Sequence, residues 1–147
     1  MAYFTYDTSV IISKKHIDLR SRTKDFLLSS IVLLELTASA KDDSERKFYE
    51  GVFRDCDQDN ALIVPNDADW LFASKILFWL TRRRRRVDGG KLRQLDPGMS
   101  QRMALDALLA ASARRRKAAV VTEDWAHFKA IQYFCGVKLI KASDFFR

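Results

Sequence analysis

The sequence predicts a single α/β domain, residues 1–147, with a mostly parallel sheet of about four to five strands covered by helices on both faces. Three observations carry that prediction. Short apolar runs alternate with longer segments of helical periodicity. Turn signals such as "VDGG" and "DPGMS" separate them. A chain of 147 residues, 48 % hydrophobic, can bury one sizeable core but not two ordinary ones.

"AYFTY" reads as a first strand, followed by more buried apolar chain, and "DFLLSS" as a second. Ser29 or Ser30 is placed to cap the helix "IVLLELTASA". "DDSERKFYEGVFRD" has the pattern of an amphipathic helix, and "ALIVP" that of a short strand closed by Pro65. Asn66 or Asp67 can cap the long helix "ADWLFASKILFWLTRRRRR", which "VDGG" ends. Then come the helix "QRMALDALLAASARRR", the strand "KAAVV", the helix "WAHFKAIQYFC" stopped by Gly136, and a last strand, "VKLI".

The 26 basic residues outnumber the 19 acidic ones, a formal charge of +7 that favours a polyanionic partner such as nucleic acid. No apolar stretch reaches the roughly 20 residues of a membrane span, and no secretory signal pattern opens the chain, so a cytoplasmic protein with no membrane partner is expected. Cys56 and Cys135 lack CxxC spacing and fit free thiols; with His16 and His127 as the only histidines, a zinc site is disfavoured.

Most acidic residues keep polar company, as in "KDDSERK", but four do not. Asp7 ends the strand "AYFTY", Glu35 lies inside "IVLLELTA", Asp106 interrupts "MALDALLAASA", and Asp124 follows the strand "KAAVVT". An isolated buried carboxylate is costly unless something cationic shares its site. In open parallel sheets, functional groups gather outside the carboxyl ends of the strands. Two of these acids fall at strand ends, and two in early turns of helices that start at that edge. An oxygen-only cluster of this kind suits Mg²⁺ or Mn²⁺ and phosphodiester hydrolysis. Plainer readings stand beside this one. Asp7 and Asp124 are placed to cap the turns that follow them, and Glu35 could lie on a solvated stripe.

"YDTSVII", "SSIVLLEL", "LDALLAASA" and "VVTEDWAHF", in this order, resemble the PIN-domain family and, within it, the VapC-type toxins of toxin–antitoxin pairs. The resemblance implies a PIN-like three-layer sandwich and a Mg²⁺- or Mn²⁺-dependent endoribonuclease with Asp7, Glu35, Asp106 and Asp124 as its catalytic and metal-binding acids. It implies that Ser9 and Thr122 position water, a carboxylate or a phosphate; backbone capping is their alternative. RNA as substrate, a cognate antitoxin and a homodimer follow as partners. The alternatives are a PIN nuclease of RNA processing and a catalytically silent nucleic-acid-binding adaptor. His127 stands where the family often carries an acid, and reads as a surface helix residue. From Lys41 to Gly98 the match is confined to helix layout.

Two arginine runs end helices, where their charge also complements the helix dipole. Arg114 to Arg116 lead into a strand and are expected to point away from the acids. Arg82, Arg83, Arg84, Arg85 and Arg86, with Lys91 and Arg93, precede the helix bearing Asp106 and are candidate RNA contacts. "WLFASKILFWL" holds more apolar bulk than one buried stripe needs. Beyond core packing, it suits a dimer face or a groove for an antitoxin helix.

Overall fold

A computed structural model describes residues 2–14, 17–85 and 98–147, with the backbone alone for residues 83–85. The chain runs β1 (Tyr3–Tyr6), α1 (Thr8–Ser13), β2 (Leu28–Ser29), α2 (Ser30–Ala38), α3 (Asp43–Gln58), β3 (Leu62–Ile63) and α4 (Asp67–Arg85). It continues through α5 (Met99–Arg115), β4 (Ala118–Thr122), α6 (Trp125–Cys135), β5 (Leu139–Lys141) and α7 (Ala142–Phe145).

The described strand pairs are all parallel. β4 lies between β1 and β5, and β2 pairs with β3. A parallel bridge between Phe4 and Phe26, with Phe4 N donating to Asp25 O and Phe4 O accepting from Leu27 N, joins the two pieces in the order β3-β2-β1-β4-β5. Every residue of β4 is buried, so both of its faces are covered. Side chains alternate across a strand, and the two cores follow that alternation. Val120 joins the large core, with residues of α2 to α6, whereas Val121 joins a smaller one with Val10 of α1 and Ala142 of α7. Thr5 is in register with Val120 and Tyr6 with Val121. Tyr6 accordingly packs with Phe26, Phe145 and Phe146 in the thinner layer.

The expected elements all form within a few residues of their sequence bounds. Two helices were not read from sequence. α1 stands where the sequence suggested only buried apolar chain, and α7 follows the last strand without a break. With 6 and 4 residues they are too short for a periodicity to stand out. Of the two candidate caps for α2, Ser29 serves, its Oγ accepting from Ile31 N at 3.1 Å.

At the start of α4, Asn66 and Asp69 form a reciprocal capping box: Asp69 N donates to Asn66 Oδ1 at 2.9 Å, and Asn66 N to Asp69 Oδ2 at 3.0 Å. Asp69 is only 4 % exposed, and Arg115 Nε donates to it at 2.8 Å from the end of α5. Arg115 and Arg116 also donate to the Val64 and Leu62 carbonyls. That arginine run therefore ties α5 to β3 and α4, nine residues along the helix from Asp106, or about 13 Å at 1.5 Å per residue.

Removing the Asp69 carboxylate breaks the Asn66 N half of the capping box and leaves the Arg115 guanidinium without its acidic partner. Asp69→Ala is expected to lower the unfolding free energy by about 2 kcal/mol in urea melts. The exposed neighbour substitution Asp67→Ala should change it by less than about 0.5 kcal/mol. Equal effects would mean that the clasp contributes nothing.

Candidate active site

Asp7 stands one residue beyond β1, 5 % exposed, with its N–H donating to Val121 O as if the ladder continued. Both carboxylate oxygens are engaged. Ser9 Oγ donates to Oδ1 at 2.6 Å, Val10 N to the same oxygen at 3.2 Å, and Thr122 Oγ1 to Oδ2 at 2.6 Å. Asp7 is thus the N-cap of α1 as well as the centre of the acid group; the two readings of this residue coexist. The hydroxyls of Ser9 and Thr122 are both directed at a carboxylate. The parallel β1–β4 register brings Thr122 there, one place beyond the Tyr6–Val121 pair.

Burial pushes the Asp7 carboxyl above its ordinary pKa, the three hydrogen bonds draw it back, and the charge of Asp106 adds to the rise. Glu35, on α2, accepts from Thr8 Oγ1 at 2.9 Å. Its carboxyl is also raised, first by burial and then by the charges of Asp106 and Asp7, against the lowering effect of Thr8. Asp7, Glu35 and Asp106 are therefore close enough to repel one another. β1, α2 and α5, far apart in sequence, each deliver one of them.

Asp106 lies in the third turn of α5, deeper than the early turn the sequence suggested. Its partner is a correction to the sequence reading. His127 is no surface residue: its side chain is 12 % exposed, that of Asp106 17 %, and His127 Nε2 lies 2.8 Å from Asp106 Oδ2. The signal available in the sequence was helical spacing, which puts His127 on the same face of α6 as the buried Ile131.

Asp124 is placed differently. It precedes α6 but makes no side-chain cap to it, so the capping alternative is not realised. It is exposed, and its N–H donates to Thr122 Oγ1 at 2.9 Å, two hydrogen bonds from Asp7. It does not figure in the charge coupling of Asp7 and Glu35. Of the arginines expected near the mouth, Arg82 has its guanidinium over the Phe78 ring at 4.5 Å. The side chains of Arg83 to Arg85, and all of Arg86, Lys91 and Arg93, lie outside the described residues.

The donor set fits a hard divalent cation in chemistry and in charge. It consists of carboxylate oxygens, and two of its members, Asp7 and Glu35, are held above their ordinary pKa by burial first and then by the charge of Asp106. The side chains do not close on one point: among the described residues no three carboxylate, histidine or cysteine groups are gathered tightly enough to hold an ion. The arrangement is an open one.

The PIN domain profile matches residues 5–132. The chain superposes on a DNA-bound VapBC from Salmonella typhimurium with a TM-score of 0.60 at 20 % identity, covering 96 % of this chain and 98 % of that one. For VapBC-5 from Mycobacterium tuberculosis, a member of the VapBC family of toxin–antitoxin systems, the TM-score is 0.58 at 20 % identity, with 96 % and 99 % covered. VapBC2 from Rickettsia felis, bound to a promoter DNA fragment, gives 0.58 at 17 % identity, with 95 % and 98 % covered. No curated protein matches the chain by sequence.

The raised Glu35 carboxyl sets a pH dependence. An acid whose folded pKa exceeds its unfolded one destabilises the fold above that folded value, and the penalty fades as pH falls toward the ordinary carboxylate range near about 4. Glu35→Gln keeps an acceptor for Thr8 and removes the charge. The variant should therefore melt above wild type at pH 7, with the gain shrinking toward pH 4. Thermal melts across that range check it; a gain that grows in acid would contradict the repulsion.

Proposed function

The chain belongs to the PIN domain family, and on that footing we propose that it is a divalent-metal-dependent endoribonuclease, the toxin of a toxin–antitoxin pair. The observation that carries this reading is the convergence of Asp7, Glu35 and Asp106 from three separate elements into one coupled group. A module that only bound nucleic acid would gain nothing from aiming such a group at phosphate.

Asp7, Glu35 and Asp106 would hold a Mg²⁺ or Mn²⁺ ion, with Asp124 reaching in from the exposed side. The ion, when bound, supplies a Lewis acid to the phosphodiester and lowers the pKa of a hydrolytic water. The chain's own residues do the orienting. Ser9, Thr122 and the Val10 N–H fix Asp7, Thr8 holds Glu35, and His127 holds Asp106 from α6. Supporting contacts of this kind turn a set of flexible carboxylates into a site of one geometry.

An antitoxin partner is supported by the structural neighbours, which are toxin–antitoxin complexes. α4 offers one apolar face for such a partner or for a second copy of the chain. Ala73, Ile76 and Leu80 fill the core, while Trp70, Leu71, Phe78 and Trp79 remain exposed. A groove of about 780 Å³ bordered by α1, α2 and α3, with Ile12, Leu36 and Phe48 in its walls, offers another. Among the described residues no helix is long and apolar enough to cross a membrane. Action in the cytoplasm, on RNA, is part of the proposal.

Purified protein should cleave RNA with Mg²⁺ or Mn²⁺ and stop when EDTA is added. Asp7→Asn and Asp106→Asn should each lower the rate by about a hundredfold or more. Cleavage that survives chelation or both substitutions would overturn the mechanism. His127→Ala should weaken Mn²⁺ binding by roughly tenfold, read by calorimetry on folded protein, and His127→Gln should recover part of it. If His127→Ala lowers the melting temperature but leaves the Mn²⁺ affinity alone, the histidine serves only packing.

A further inference from the structure

A polyanion approaching three carboxylates is repelled by them, so a nuclease of this kind needs cationic contacts beside the acids. The described residues place such contacts on one flank. A groove of about 330 Å³ opens at the carboxyl ends of β4 and β5, lined by Thr122, Glu123, Trp125, Lys141, Ala142 and Ser143. Thr122 is the residue whose hydroxyl donates to Asp7, so the groove and the acid group share a wall.

The indole of Trp125, in the first turn of α6, gathers two lysines. Lys141 Nζ lies 5.2 Å from the ring centroid and Lys129 Nζ 5.6 Å. Lys141 is the last residue of β5 and Lys129 comes one turn after Trp125, so the ring brings together cations from two elements. Lys129 is further held by Gln132 Oε1 at 2.7 Å. Among the described residues no carboxylate pairs with Lys141 or Lys129, so none of those residues cancels their charge. The one acid in the groove wall, Glu123, has Lys14 Nζ at 4.0 Å.

From the shared Thr122 wall, the two ammonium groups on one indole and the size of the groove, we propose that this groove is a subsite for the phosphate backbone of single-stranded RNA next to the scissile bond. It rests on the ribonuclease reading above and names residues for substrate binding that the acids themselves cannot supply. Lys141, in the groove wall, contacts phosphate, Lys129 adds its charge from beside the Trp125 ring at the rim, and Trp125 offers an aromatic surface to a base, a combination that suits unpaired strands. At about 330 Å³ the groove is at the lower end of small-molecule sites, room for one nucleotide unit and not for a duplex.

The test is binding of a fluorescein-labelled 12-nucleotide single-stranded RNA to the full chain in EDTA, by anisotropy over a range of salt. Lys141→Ala and Lys129→Ala should each weaken binding by about three- to tenfold and lower the slope of log affinity against log salt by roughly 0.7. Trp125→Ala should act in the same direction as the lysine variants. Lys138→Ala, at the opposite end of β5, should do neither. With Mg²⁺ present, Lys141→Ala should raise KM for cleavage and leave kcat within about twofold. Unchanged affinity and slope in the lysine variants, or an equal loss in Lys138→Ala, overturns the subsite. So does RNA binding that is untouched while Lys141→Ala loses affinity for a labelled Glu-rich peptide, which would give the groove to a protein partner. If wild type binds RNA through Lys141 yet cleaves nothing with metal, the groove stands as an RNA-binding site and the ribonuclease reading falls.

Discussion

Asp7 brings a negative charge to the end of a buried strand, where three donors from two places in the chain converge on it. Ser9 and the Val10 N–H come from the helix that Asp7 itself caps, and Thr122 comes from the neighbouring strand. Hydrogen bonds to a charged group are among the stronger ones available, and losing them in a dry place is costly. Much of the architecture serves that requirement. The β1–β4 register puts Thr122 opposite Asp7, and α1 presents the Val10 N–H to the same carboxylate.

Glu35 and Asp106 join Asp7 because α2 and α5 pack on the face of the sheet that carries the larger core. The approach of three like charges opposes folding, since burial and the neighbouring charge both raise the carboxyls of Asp7 and Glu35 toward their neutral forms. The fold offsets this elsewhere. β4 is buried throughout, α5 carries an unbroken series of buried residues from Ala107 to Ala113, and Arg115 and Arg116 fasten its end to α4 and β3. Stability spent at a site and recovered in the surrounding core is the usual relation between activity and robustness.

Charge is also distributed unevenly. The chain is basic by +7, yet its most crowded carboxylates stand at one edge of the sheet. Lys14, Lys129 and Lys141 flank that edge. On the reading proposed above, attraction at range and repulsion at contact would leave a polyanion beside the acids, where a small cation would reconcile the two. His127 adds a neighbour from α6 at Asp106 Oδ2, limiting how that carboxylate can turn.

The sequence by itself determined the alternation of strands and helices and the acids that did not belong in apolar company. Both are written in local pattern: period, turn residues, and the cost of a charge in an apolar run. Asp7, Glu35 and Asp106 were legible for that reason, and Ser29 as a cap likewise. α1 and α7 were not, because helices of 6 and 4 residues owe their existence to what they pack against, here Val121 and the aromatic layer around Tyr6. Lys129 and Lys141 give no local signal, since a lone polar residue on a helix or at a strand end reads as solvated surface, and His127 carried only its helical spacing to Ile131, which names no partner. Only the tertiary structure decided that Asp124 stands at the exposed margin of the acids, that His127 meets Asp106, and that the second arginine run closes on Asp69. Each depends on distances between segments up to about a hundred residues apart, which packing sets and local sequence does not encode.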